Sequence, residues 1–432
     1  MRRKHGRMLI IGLLVTGAIL FAALGPSSIS ADFPDGSCEF RSYDVSVTPP
    51  TIDRELAPVI VKGADLPLMA GVPTDELFVY AYKEGGFEQI PFQVDEVEEV
   101  EGSRHYTDTV GSPLEDDDEV VFMVSDLGGL PSPIDIASTL PISETVYEIE
   151  VTDPLVPGAS GWAFIARSDV LVPTFTETYA SFEPATDRIT TTEYSLGFLA
   201  DHPGLDYLAL HGSGQDILDR TKLRLTVFGI PVTENMPPAP PPVAVKDGPV
   251  RVIVRNRGLI GYRALVRTVL REDLLPGTTA ARLSTDFSAE AAGATFYNAN
   301  SPAGATIDGD PTESIAASPL SPWWQVTHET GTLVQVGDSS GVGGTQTNYY
   351  KDDDTVDPAD TGDQMSYGDT GLSVTSPNES IFYDAALYIL PPGQSNIGSG
   401  VADHAMNPVQ VTAVARKPAR YRVYLPVTLK AQ

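Results

Sequence analysis

Glycine and proline interrupt this chain so often, 38 and 36 times in 432 residues, that long regular elements are excluded and the fold must be assembled from short ones. Glycine relieves positive-φ positions, and proline breaks both helices and ladder hydrogen bonds, so clusters of either mark turns and edges. Between them lie runs of the strand type. Leu77 to Tyr82, then Lys83-Glu84-Gly85-Gly86, then Phe87 to Val94 read as a hairpin. Further β-type runs occupy Val120–Val124, Thr145–Val151, Leu223–Phe228, Val250–Val254, Tyr262–Leu270, Gly331–Val336, Ala385–Leu390 and Val409–Val414. Beyond the N-terminal segment no window of 12 or more residues carries a helical stripe; Ile217 to Leu225 comes nearest and is short. The pattern predicts an all-β chain of antiparallel sandwiches rather than a parallel α/β sheet.

Arg2, Arg3, Lys4 and Arg7 precede an apolar run from Met8 to Leu24, followed by Gly25-Pro26 and the small residues Ser27, Ser28, Ser30 and Ala31. That order predicts a signal peptide over 1–31, cleaved after Ser30 or Ala31. An uncleaved anchor is the alternative, because 17 apolar residues sit at the lower limit for a bilayer span. No later stretch is long and apolar enough to cross, so the mature chain is expected to have no transmembrane span and to be secreted or held at the cell surface. Removing four basic residues takes the formal charge from -30 to -34, which argues against nucleic acid as a partner. Cys38 stands alone, which excludes an intramolecular disulfide. The six histidines, His5, His105, His202, His211, His328 and His404, never fall at close ligand spacing, so zinc is not expected.

A hydrophobic content of 42% is ample for a packed core, and about 400 mature residues suggest two modules. The Thr-rich, Pro-containing stretch Val172 to Asp187 places the boundary: an N-terminal sandwich over 43–187, a larger one over 188–416, and a tail over 417–432. The Pro-rich stretch 231–242 is extended and cannot join a central strand. It reads as a loop inside the second module in preference to an interdomain linker.

Three features could carry chemistry. The first is a charge reversal between Arg220 and Arg271, where Arg220, Lys222, Arg224, Lys246, Arg251, Arg255, Arg257, Arg263, Arg267 and Arg271 face only Glu234 and Asp247. Spacings of two and four place Arg220/Lys222/Arg224, Arg255/Arg257 and Arg263/Arg267/Arg271 each on one strand face, with Leu223, Leu225, Val252, Val254, Tyr262 and Ala264 opposite. If the strands are neighbours, they form a half-buried sheet with a guanidinium-rich outer surface. A guanidinium fork matches carboxylate and sulfate oxygens, so Arg255, Arg257, Arg263 and Arg267 are candidate ligands for an acidic polysaccharide or cell-wall glycan. The alternative is that they pair with the chain's own carboxylates.

The second feature is Trp323-Trp324 with His328, and Tyr349, Tyr350 and Tyr367 further on. Exposed aromatic faces stack on sugar rings, and adjacent tryptophans on one strand point to opposite faces, so one of the pair is expected to be exposed. The third is a pair of acidic loops, Glu115 to Glu119 and Asp352 to Asp363. Asp352, Asp354, Asp357, Asp360 and Asp363 are candidate calcium ligands, since calcium takes several hard oxygens from a turn. Val356 breaks the EF-hand pattern, and a solvated acidic loop is the alternative. Catalytic signals are thin. No Gly-x-Ser-x-Gly stands on a strand-to-helix junction, and a lyase base beside a cation could be His328 or Tyr262, with His211 and His202 as competitors.

The stretch Gly248-Pro249-Val250-Arg251 through Tyr262 to Leu270, with Trp324 and Gly331-Thr332-Leu333-Val334 after it, resembles the large antiparallel sandwiches of the galactose mutarotase-like and polysaccharide-lyase superfamily. The resemblance spans 188–416 and implies a carbohydrate ligand in a sheet groove; no catalytic residue carries over. The tail Tyr421-Arg422-Val423-Tyr424-Leu425-Pro426-Val427-Thr428-Leu429-Lys430 resembles an aromatic-Leu-Pro-apolar-basic ending of some bacterial exported proteins. It contains Leu-Pro-x-Thr, as sortase substrates do, with Leu429 where they carry Gly. These features together give the expectation of an exported protein binding acidic carbohydrate. The alternatives are a lyase or glycosidase on the same scaffold, and a calcium-stabilised structural or adhesion protein.

Overall fold

A computed structural model describes residues 47–100, 103–132, 145–199, 204–235, 243–256, 260–378 and 380–416. The signal peptide, Cys38, His202, the stretch 236–242, Arg257 and the tail lie outside the described residues, as does the side chain of Arg255.

Eight strands come first: β1 Pro58–Lys62, β2 Leu77–Lys83, β3 Gly86–Gln89, β4 Gln93–Val100, β5 Ser103–Thr107, β6 Glu119–Met123, β7 Val146–Thr152 and β8 Ser160–Arg167. A meander follows, β9 Ala180–Glu183, β10 Arg188–Thr191, β11 Tyr194–Phe198 and β12 Leu205–Leu210. Then come β13 Leu218–Val227, β14 Ile230–Thr233, β15 Val243–Asp247, β16 Val252–Asn256, β17 Ile260–Ala264, β18 Thr268–Pro276, β19 Thr278–Phe287, β20 Thr295–Asn298 and β21 Ser301–Thr306. The last group is β22 Trp323–His328, β23 Gly331–Asp338, β24 Thr345–Asp353, β25 Ser366–Thr375, β26 Ser380–Leu390, the helix α1 Gly398–Met406 and β27 Gln410–Arg416. Neighbouring strands pair antiparallel, and the chain is an all-β sandwich protein, as its punctuation predicts.

Two apolar cores organise the sheets. In the first, β1-β6-β4-β5 faces β27-β7-β8-β2-β3 across Val59, Val61, Phe78, Phe122, Ile149, Phe164 and their neighbours. In the second, a five-stranded sheet β14-β13-β19-β25-β24 faces a nine-stranded sheet β15-β16-β17-β18-β26-β23-β22-β20-β21, and the β9–β12 meander contributes Ile189, Leu196 and Leu208 to the same core. The alternation Leu223, Leu225 on β13 and Val252, Val254 on β16 reaches this core as expected. Every residue of β6 is buried. Val120 and Phe122 enter the first core while Val121 and Met123 meet Val250 and Leu265, so an unbroken apolar run marks a strand covered on both faces. Pro231 sits on β14, an edge strand, where a missing N–H is tolerated.

Three local expectations change. Phe87 to Val94 is not one strand: Pro91 separates β3, which pairs with β2, from β4, which pairs with β6. Tyr262 to Leu270 is likewise two strands, β17 and β18, joined by a tight turn in which the Leu265 N–H donates to the Thr268 carbonyl at 2.8 Å. That turn carries no glycine or proline, so it left no mark in the sequence. Finally Ile217 to Leu225, the nearest thing to a helical stripe, lies on β13 from Leu218 onward, while the helix that forms, α1, is nine residues long and rich in Gly, Ser and Ala. Nine residues are too few to declare a stripe.

Candidate functional site

The basic segment does not make one surface. Arg220, Lys222 and Arg224 lie on β13 in the five-stranded sheet, whereas Arg263 and Arg271 lie on β17 and β18 of the nine-stranded sheet across the core. Because β17 and β18 are a hairpin, Arg263 and Arg271 also point to opposite faces: Arg271 pairs with Ala385 and Tyr262, Arg263 with Leu270. Every described arginine of the candidate set is matched by a carboxylate. Arg263 is 8% exposed and donates to Glu272 at 2.6 Å and to the Tyr106 hydroxyl at 3.0 Å. Arg267, in the turn, reaches Glu193 at 3.1 Å and Glu55 at 3.6 Å, on the wall of a groove of about 540 Å³ that also includes Tyr388 and His404. Arg251 is fully buried against Asp95 and Glu119.

The tryptophans are both buried, Trp323 at 6% and Trp324 at 7% exposure, which corrects the expectation that one would be free for stacking. Trp324 enters the second core and meets Phe287 edge to face at 6.0 Å. Trp323 points the other way, but α1 covers that face with Ala402. The approach is close enough that a Cβ on Gly398 would come within 2.1 Å of the indole. His328 is 6% exposed, its Nδ1 lies 2.8 Å from the Thr330 hydroxyl, and burial lowers its pKa. Tyr262 is a core residue, and burial pushes its hydroxyl up to about 12.

Four of the five candidate carboxylates in the acidic segment 352–363 bond the chain itself. Asp352 accepts the backbone N–H groups of Asp308, Gly309 and Gly368. Asp357 accepts from Ala359 and Asp363 from Met365, each closing a local turn. Asp360 pairs with Lys222 and Arg224, and the Asp354 N–H bonds the Gly309 carbonyl. Among the described residues no three His, Cys, Asp or Glu side chains are grouped as a metal ion needs.

What the fold does assemble is a groove of about 580 Å³ on the outer face of the nine-stranded sheet, lined by Arg104, Arg263, Glu272, Asp338, Ser339, Ser340, Asp384 and, at one end, Ala405 and Met406 of α1. The strand register builds its floor. Glu272 on β18 faces Asp384 on β26, and Asp384 faces Asp338 on β23, so three carboxylates stand in one row across three adjacent strands. Like charges directly opposite are destabilising in a sheet, and the row is held by unequal surroundings. Glu272 has Arg263 and, at 3.6 Å, Arg104. Asp338 accepts the Ser340 N–H at 2.9 Å, and its contacts with Ser340 lower its pKa. Burial raises Asp384, the Glu272 charge adds to the rise, and Arg263 and Arg104 oppose it. Sequence reasoning found Arg263 but missed the acids, because Glu272, Asp338 and Asp384 are isolated in sequence and meet only through strand pairing.

The fold defines the class: an all-β protein of antiparallel sandwiches carrying a mixed-charge groove on its largest sheet. Compared with known protein families and with curated proteins, the chain matches none.

Proposed function

We propose that the protein is a secreted or cell-surface carbohydrate-binding protein whose ligand lies in the groove over β18, β26 and β23. The observation that carries this reading is the row Glu272, Asp384, Asp338 beside Arg263 and Arg104 in an open groove of about 580 Å³. That size suits a small-molecule or oligosaccharide ligand. Each sugar hydroxyl both donates and accepts, and a row of carboxylate acceptors flanked by guanidinium donors serves both halves of it. The N-terminal signal pattern supports the location. Because the three arginines that line it, Arg104, Arg263 and Arg271, are already matched by Glu272 and Asp273, the groove is not net basic, and this favours a neutral glycan over the uronate that the charge reversal suggests.

The test is a panel of neutral and uronate-rich polysaccharides with wild type and the Asp384→Asn and Asp338→Asn variants. Retention on neutral glycans that either variant lowers at least tenfold, with unchanged circular dichroism, supports the reading. Salt-sensitive retention on uronates that the variants leave intact points instead to an acidic ligand bound elsewhere.

A second reading, glycosidic cleavage in the same groove, is favoured by the opposite shifts of Asp384 and Asp338. Environments that push two carboxyls apart assign an acid and a base. Directly paired residues have Cβ atoms about 5 Å apart, compatible with the roughly 5 Å between carboxyls in retaining enzymes. Release of reducing ends, lost in both Asn variants, distinguishes cleavage from binding.

A further inference from the structure

Lys222 on β13 has no exposed side-chain surface, and neither does Asp286 on β19. The β13–β19 register sets Lys222 opposite Ser284 and Arg220 opposite Asp286, so Lys222 and Asp286 are diagonal neighbours on the outer face of the five-stranded sheet. Asp369, also fully buried, stands on β25, the strand on the other side of β19. Lys222 Nζ is in direct contact with the Asp286 carboxyl, and Asp369 is held beside them by the Ser284 and Tyr349 hydroxyls. Asp360, from the segment that follows β24, lies over the group at 3.2 Å from Lys222. A fully buried amine, a carboxyl against it and a second buried carboxylate beside both make an arrangement that an ordinary ion pair does not explain, since one cation is enough to neutralise only one of two buried acids.

We propose that Lys222 and Asp286 are joined by an intramolecular amide bond between Nζ and Cγ, formed after folding with Asp369 carrying the proton.

The step balances with no added reagent. Asp369 takes one proton from the Lys222 ammonium, and the freed amine attacks Cγ of protonated Asp286. The Nζ–Cγ bond forms, the Cγ–OH bond breaks, and a further proton from Nζ leaves with that hydroxyl as water. Asp369 ends protonated. An ammonium and a carboxylate thus become an amide and a carboxylic acid, all neutral, which removes the expense of buried charge. Burial and the Asp369 charge push Asp286 up to about 9 against the pull of Lys222, which keeps its carboxyl in the protonated form that can lose hydroxide as water. Burial alone would lower the Lys222 pKa, but the carboxyl cluster of Asp286, Asp369 and Asp360 around it more than reverses that, so its proton leaves by way of a neighbouring carboxylate. Fixed apposition replaces the activation that a condensation in water would need, through the effective concentration of groups already in contact.

The experiment is mass spectrometry of the purified, denatured full chain, followed by tryptic mapping. The expected result is an intact mass short by one water molecule and a branched peptide joining Thr221–Arg224, uncleaved after Lys222, to the peptide that begins at Leu283. An intact mass without the loss, with cleavage after Lys222, overturns the bond. So does a water loss confined to one linear peptide, which marks a cyclised aspartate. The Lys222→Arg and Asp286→Ala variants serve as controls for the position of the branch. In Asp369→Asn, checked for folding by circular dichroism, branching should drop at least tenfold; branching at the wild-type level would overturn the part given to Asp369.

Discussion

Arg251 has no exposed surface, and it bonds Asp95 through Nε at 2.8 Å and Glu119 through a terminal nitrogen, with the Tyr106 ring 5.5 Å from its guanidinium carbon. Burying the guanidinium is tolerated because two carboxyl groups pair with it, so removing Arg251 strands both. Arg251→Leu is expected to lower unfolding stability by about 3–5 kcal/mol in urea titration, far more than Arg267→Leu, whose pairs are partly exposed. A carboxyl with a raised pKa offers a pH test. Burial pushes Asp219 up to about 6 from 3.8, so the folded state holds its proton more tightly than the unfolded chain. Its contribution is complete below the unfolded pKa and is lost as pH rises through the folded one. Asp219→Asn should therefore melt higher than wild type at neutral pH, with the difference vanishing below pH 4, as thermal scans across that window would show. These residues also mark where the sequence stops being readable. It shows that ten cations cluster, but whether each meets solvent or a carboxylate depends on partners such as Glu272, Glu193 and Glu119, which are placed by long-range pairing.

Strands with alternating or continuous apolar runs were legible, and so were turns marked by Gly85-Gly86. The β17–β18 turn was not, and missing it reversed the face assigned to Arg271 and invented a single arginine stripe. The outer cover of Trp323 was equally hidden, since nothing in a nine-residue segment with only Val401 and Met406 as large apolar residues announces that it will fold back over an indole. Similarly, the Asp-rich segment after β24 suggests a calcium loop by composition, while its geometry makes it a strap across the polar face of β13. It is fastened by Asp360 to Arg224 and Lys222, by the Thr361 hydroxyl to Glu234, and by the Asp363 N–H to Asp219. Gly362 sits at the tightest point, with φ at 78° and the place of a Cβ within 2.0 Å of the Asp219 carboxylate. Gly362→Ala is expected to cost roughly 1–3 kcal/mol and to raise hydrogen exchange selectively along the strap and β13.

For the whole molecule, the all-β class and the outer limits of the cores follow from composition and periodicity, but sheet membership does not. β27 illustrates this, joining β7 along seven paired residues and completing the sheet built from β2, β3, β7 and β8. Arg416 then holds Glu148 through two hydrogen bonds, 268 residues away along the chain. Closing a span of that length carries a large entropic cost before any contact is regained, and strands paired this way form slowly. A polypeptide delivered N-terminus first thus presents β7 as an unpaired, hydrogen-bonding edge for as long as the following two-thirds takes to arrive. Such an edge is a template for the wrong neighbour, so during synthesis the early sandwich depends on speed or escort, and only the arrival of β27 ends that exposure.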